Sequence, residues 1–217
     1  MKRIALTVLL ILLGYTGFST TFFQLWGGAG IATRYNYDAG LSAGMTIFKG
    51  LPYRVNVGAS VFLQQYNLYY DKENTQLVGA SIRHSSSYVF LSPMIDLRMG
   101  KTGNTHFYLT AGPGFNMSAV DTLHKWDRQG AITYDSTIGK PENINKMVVR
   151  LGMGLSEYFN ISRKFYMNIT EDVGFMATKL SETNDVTNTK LNNNVGRLFR
   201  PTYISIRIGF GWKFYKK

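Results

Sequence analysis

The sequence predicts an all-β chain: an eight-stranded antiparallel up-and-down transmembrane β-barrel preceded by a cleaved signal peptide. Three observations lead there. Apolar and polar residues alternate in eight segments between Phe22 and Phe214. Each segment runs roughly ten to fourteen residues, near the length a tilted strand needs to cross a bilayer. The connections between segments alternate short and long, except for a tight turn near Tyr35–Asn36, as in membrane barrels with short periplasmic turns and long external loops.

The elements follow in chain order. Lys2 and Arg3 precede an apolar run from Ile4 to Leu13 and then small polar residues, with Gly17 and Ser19 suited to the −3 and −1 positions of a signal-peptidase site. This predicts a signal peptide over 1–19, cleaved after Ser19, and a barrel domain over 20–217. The apolar run is short for a membrane helix. The first strand, Phe22 to Arg34, is interrupted by Gly27, Gly28 and Gly30. In the second, Tyr37 to Phe48, one face carries Ala39, Leu41, Ala43, Met45 and Ile47, and the other Asp38, Gly40, Ser42, Gly44 and Thr46. Tyr53 to Gln64 forms the third, with Val55, Val57, Ala59, Val61 and Leu63 opposite Arg54, Asn56, Gly58, Ser60 and Gln64. The fourth, Tyr88 to Met99, and the fifth, His106 to Ser118, keep the pattern but contain Pro93 and Pro113. A proline cannot donate to a ladder, so bulges are expected at both. Met147 to Ser156, Phe165 to Ala177 and Thr202 to Phe214 complete the set. Glu171 falls on the apolar face of the seventh strand, which predicts a phase slip near Thr170–Asp172 or a position at the outer rim.

The turns at Lys49–Pro52, Gly100–Thr105 and Phe159–Arg163 are short, whereas Asp71–Arg83, Val120–Lys146 and Thr178–Arg200 are long and polar. An even strand count then places both termini on the periplasmic side. A soluble barrel would turn the apolar faces inward, and an eight-stranded interior has no room for them. A two-sheet sandwich could pack two apolar faces together, but its strands are usually shorter and its loops do not sort by length. Aromatics also gather near segment ends, at Tyr37, Phe48, Tyr53, Phe107, Phe165, Trp212 and Phe214, where interfacial girdles lie.

Composition narrows the function classes. The chain has 217 residues, no cysteine and a net charge of +11. Without cysteine there is no lipoprotein anchor, disulfide or thiolate site. Much of the positive charge sits at the short turns and the C-terminus: Lys49, Lys101, Arg163, Lys164, Lys213, Lys216 and Lys217. In the predicted topology these form one basic rim beside anionic headgroups rather than a nucleic-acid patch.

Several stretches resemble a known family. Leu91-Ser92-Pro93-Met94-Ile95, Tyr108-Leu109-Thr110-Ala111-Gly112-Pro113 and the closing Ile206-Arg207-Ile208-Gly209-Phe210-Gly211-Trp212-Lys213-Phe214 are similar, at the level of pattern, to the PorT-like outer-membrane β-barrel family. The resemblance covers nearly the whole mature chain and implies an eight-stranded outer-membrane barrel, mostly of unassigned function, with one branch associated with a protein-secretion apparatus. No quoted residue is specific to that branch. The last strand also resembles an outer-membrane insertion signal, although Lys216 and Lys217 follow its aromatic end.

Chemical motifs are sparse. His84 and Ser86 are spaced as in outer-membrane lipid A deacylases, but they lie in the polar run Arg83–Ser87 without an identifiable carboxylate partner. The histidines His84, His106 and His124 lack metal-ligand spacing. Gly27-Gly28-Ala29-Gly30 opens no helix and carries no Gly-Lys-Ser/Thr, so it reads as strand glycine. Inward-facing Asp38, Asp96 and Asp172 are placed to pair with Arg54, Arg98, Arg150 and Arg207, as a charge network filling a closed interior or as a polar pathway for a small solute. The expected function is that of a monomeric, non-enzymatic structural or interaction component of the envelope, with no cofactor and no nucleic-acid partner. It would meet outer-membrane lipids through its wall and an envelope protein through the loops Val120–Lys146 and Thr178–Arg200, with Trp126 and Tyr134 as contact residues. A lipid-modifying enzyme and a narrow pore are the alternatives.

Overall fold

A computed structural model describes residues 20–32, 37–71, 80–126, 132–139, 145–177 and 202–215. The predicted signal peptide, the loop 178–200 and the terminal Lys216 and Lys217 lie outside the described residues. The strands are β1 (Thr21–Ala32), β2 (Tyr37–Asp38), β3 (Gly40–Gly50), β4 (Val55–Asp71), β5 (Ala80–Met99), β6 (Thr105–Trp126), β7 (Ile132–Gly139), β8 (Met147–Asn160), β9 (Phe165–Met176) and β10 (Thr202–Phe214).

Eight of them close a ring. Neighbours run β4, β3, β1, β10, β9, β8, β6, β5 and back to β4, every pair antiparallel. The closing seam joins the first and last strands, from Thr21 opposite Phe214 to Ala32 opposite Tyr203. β2 continues the β3 side of β4, and β7 pairs with the far end of β6. The alternation sets the faces. In β9 every second residue from Tyr166 to Met176 is buried, and those between turn outward. Leu41, Ile206 and Met147 stand 67%, 58% and 56% exposed on the outer wall. Phe23, Phe165 and Trp212 cluster near the short-turn end, with ring centroids 5.8 Å apart in each contact made by Trp212.

Three expectations are corrected. First, neither Pro93 nor Pro113 makes a bulge. The β4 ladder runs unbroken through Pro93 opposite Ala59, and the β8 ladder through Pro113 opposite Val149. Between β5 and β6 the pairing lapses from Leu91 to Pro93 and resumes at Met94 opposite Thr110 in the same register. Both missing N–H groups therefore face one seam, which loses ladder bonds without gaining a residue. The register shift falls instead between Ser87 and Tyr88, where Met117 is the extra residue.

Second, the long connections are not wholly irregular. β4 pairs with β5 as far as Asp71 opposite Ser81, and β5 with β6 as far as Ala80 opposite Lys125. Together with β7 these extensions form a ribbon beyond the apolar wall. Third, Glu171 undergoes no phase slip: the alternation of β9 passes through it unbroken and leaves it exposed on the outer face, opposite Leu155 and Ile206.

Candidate functional site: a filled interior and an apolar wall

Inward-facing residues fill the barrel in three levels. Near the short turns, Phe22 stacks on Phe48 at 4.7 Å, and His106, Tyr158 and Tyr166 follow with ring centroids 4.1 and 5.2 Å apart. Toward the long loops, Trp26, Phe62 and Phe90 form a tilted stack at 5.4 and 5.1 Å, flanked by Tyr66 and Tyr88. Glycines on neighbouring strands make room for these rings. A Cβ on Gly211 would overlap the Tyr166 ring, and one on Gly154 would lie 2.7 Å from the Tyr108 ring.

Charge lies between the two aromatic levels. Asp172 on β9 accepts from Arg150 Nη2 at 2.5 Å, from Arg207 Nη2 and from the Tyr108 hydroxyl at 2.7 Å, and more distantly from Ser205. Its side chain is fully buried, as is nearly all of Arg150. The two guanidiniums also lie against aromatic faces: Arg150 over Tyr203 at 4.4 Å and Phe62 at 5.0 Å, Arg207 over Trp26 at 4.5 Å. Such cation–π contacts are strongest where water is absent.

A second cluster is separate from the first. Asp96 is buried, accepts from Asn56 Nδ2 and sits 2.8 Å from His106 Nδ1. No arginine among the described residues pairs with it, so the expected single network divides in two. Arg98 is half-buried across the strand pair from His106. Arg54 leaves the interior altogether. It is exposed in the Pro52–Arg54 turn, where its left-handed backbone (φ 64°) carries the side chain to the rim, and its Nη1 donates to Gly100 O at 2.6 Å. Asp38 pairs through its backbone with Asn67, and its side chain lies outside the described residues, as do those of His84, Trp126 and Tyr134.

Sequence reasoning missed Asn56, His106 and Tyr108 as partners of the buried carboxylates. The signal was present for all three, because Asn56, His106 and Tyr108 share the inward phase of their strands. The pairing of His106 with Asp96 also required the β5–β6 register, which sets Arg98 opposite His106 and so brings that ring within reach of Asp96. Among the described residues no group of three or more His, Asp or Glu side chains could hold a metal ion. An interior cavity of about 40 Å³ lies beside the charges, lined by Gln24, Thr46, Ser60, Arg150, Thr170 and Arg207 among others. It admits water but no larger solute.

Architecture and interior define a closed eight-stranded antiparallel all-β barrel with an apolar outer wall and a filled lumen. No protein-family model matches the chain, and no curated protein matches it. Among solved structures it is similar to Neisserial surface protein A at 12% identity, covering 89% of this chain and 97% of that one, with a TM-score of 0.44. Ail, the attachment invasion locus protein of Yersinia pestis, shares 12% identity over 92% of this chain and 100% of its own, at 0.41. A major outer membrane protein from Thermus thermophilus shares 13% over 89% and 99%, at 0.47.

Proposed function

We propose that the chain is an outer-membrane β-barrel with both termini periplasmic, serving as a non-enzymatic structural or interaction component of the envelope. One observation carries this reading: the aliphatic side chains face outward around the whole ring, while charge and hydrogen-bonding groups between the rims, Glu171 apart, face inward. Eight strands spaced about 4.8 Å and tilted about 40° give a circumference of about 50 Å. A belt about 25 Å tall then presents roughly 1,250 Å² of apolar wall. That exceeds the largest patches usual on soluble monomers, about 300–600 Å². Hydrocarbon is the solvent that accepts such a surface.

The filled lumen supports a role other than transport, since two aromatic levels bracket the buried ions. Partner binding is assigned to the external segments 120–146 and 178–200, including Trp126 and Tyr134. The likeness to PorT-like barrels suggests secretion machinery as one setting. Lys49, Lys101, Arg163 and Lys164, all at the short-turn end, suit a rim beside anionic headgroups.

The test combines fractionation, conductance and crosslinking. The barrel should be recovered from outer membranes with heat-modifiable gel mobility, should show no unitary conductance in planar bilayers, and should trap a reproducible protein partner in intact cells. Recovery in the soluble fraction, a stable conductance, or altered lipid A mass spectra in a deletion strain would each overturn the reading.

A further inference from the structure

Glu171 is the outstanding irregularity of the outer wall. It is exposed in the middle of β9, between the outward residues Ile169 and Val173 and opposite Leu155 and Ile206. No hydrogen bond or ion pair engages it among the described residues. We propose that the outer face of β9, β8, β6 and β5 is a lateral contact for another membrane-embedded protein, whose basic side chain, Lys or Arg, meets the Glu171 carboxylate within the bilayer. The inference rests on the membrane reading above and assigns it a second interaction surface, distinct from the external loops.

Depth selects the class of partner. Glu171 lies six residues beyond Phe165, the aromatic that begins β9 at the short-turn end. At about 3.3 Å per residue and a tilt of about 40°, that is about 15 Å along the membrane normal, inside a belt about 25 Å tall. A glutamate side chain spans roughly 5 Å, too little to reach either headgroup layer from there. Lipid amines and the basic rim are equally out of range. Ionisable groups at such depth are unfavourable unless paired, which makes them candidates for function. A second copy of this chain cannot supply the cation, because between the rims the outward positions of the described wall carry no Lys, Arg or His. The donor must come from a different protein with a basic group on its own lipid-facing surface.

The neighbouring wall has the shape for such a contact. An open apolar groove of about 650 Å³ crosses the outer face beside Glu171, lined by Pro93, Ile95, Leu109, Ala111, Met153 and Val173 among others. Val173 is the next outward residue along β9 from Glu171. The groove passes over the seam where the β5–β6 ladder lapses, and there the short outward side chains of Pro93 and Ala111 form its floor. Close approach over small residues, with one polar pair as the fixing contact, is how protein surfaces associate in lipid, where apolar burial alone provides no drive.

The experiment uses the full chain at native level in its own outer membrane. A photoreactive benzoylphenylalanine replaces Phe175, which lines the groove, or Met45 on the opposite wall. The expected result is one discrete protein adduct from position 175 and none from position 45. That adduct should fall about tenfold with Glu171→Leu, the factor given by losing one intramembrane polar contact, and survive Glu171→Asp. Its mapped peptide should be a membrane-spanning segment containing Lys or Arg. Heat-modifiable mobility of the Glu171→Leu barrel checks folding, which leucine on a lipid face does not impair. An adduct indifferent to Glu171→Leu, an adduct to a second copy, an adduct to lipid alone, or no adduct would overturn the lateral contact. If the barrel is correctly inserted in those cases, the membrane reading survives; recovery of the chain in the soluble fraction would overturn both.

Discussion

Replacing Asp172 by asparagine removes the one carboxylate that Arg150 and Arg207 share. Both guanidiniums are then left facing each other between aromatic levels, with the side chains of Arg150 and Arg207 only 1% and 11% exposed. Stranding a buried charge by deleting its partner costs about 3–5 kcal/mol. Replacing Arg150 by leucine is different, because Asp172 keeps Arg207 and the pair stays balanced. That change loses one charge-assisted hydrogen bond and the contacts with Tyr203 and Phe62, about 1–3 kcal/mol. The expected order is therefore Asp172→Asn worse than Arg150→Leu. The double variant should cost less than the two single changes together, since removing Arg150 relieves the repulsion that Asp172→Asn creates. The assay is urea unfolding of the barrel refolded into lipid vesicles, followed by tryptophan fluorescence and gel mobility. An Asp172→Asn variant as stable as Arg150→Leu, or additivity in the double variant, would refute a shared-carboxylate interior.

Three further outcomes are expected from the same unfolding assay. Glu171→Leu, in the purified barrel without partner, should gain about 1 kcal/mol, because a charge on the lipid face is removed. Gly211→Ala should lose about 1–3 kcal/mol, because its Cβ would overlap the Tyr166 ring, and Tyr166→Ala in the same chain should recover part of that loss. His106→Ala should cost about 1–3 kcal/mol by depriving buried Asp96 of one of its two partners. Equal stability of that variant and the parent would show that Asn56 alone satisfies Asp96.

The wall is legible in the sequence because lipid-facing strands obey a strict period of two, as Leu41, Ala43, Met45 and Ile47 do in β3. Beyond the wall the signal fades for a physical reason. From Ser81 to Ser87 the sequence is polar in both phases apart from Ile82, so backbone pairing extends the strand there without an apolar side to mark it. The interior is legible in composition but not in pairing, because partners such as Asp96 and His106 depend on register, which alternation does not specify. The prolines mislead for a related reason. A missing donor matters only toward the neighbour it faces, and both missing donors face the same seam. Phase alone singles out Glu171, but no slip accompanies it, because every neighbour on β8 and β10 has a complete ladder with β9.

The absence of native cysteine allows a direct test of what covers the wall. Single cysteines at Met45, which turns outward, and at Thr46, which turns inward, would carry an environment-sensitive fluorophore in barrels refolded into vesicles containing lipids brominated at mid-chain. Strong quenching at position 45 and little at position 46 is the predicted result. Equal exposure of both labels to aqueous quencher, or a folded, monodisperse chain in detergent-free buffer, would contradict a wall solvated by hydrocarbon.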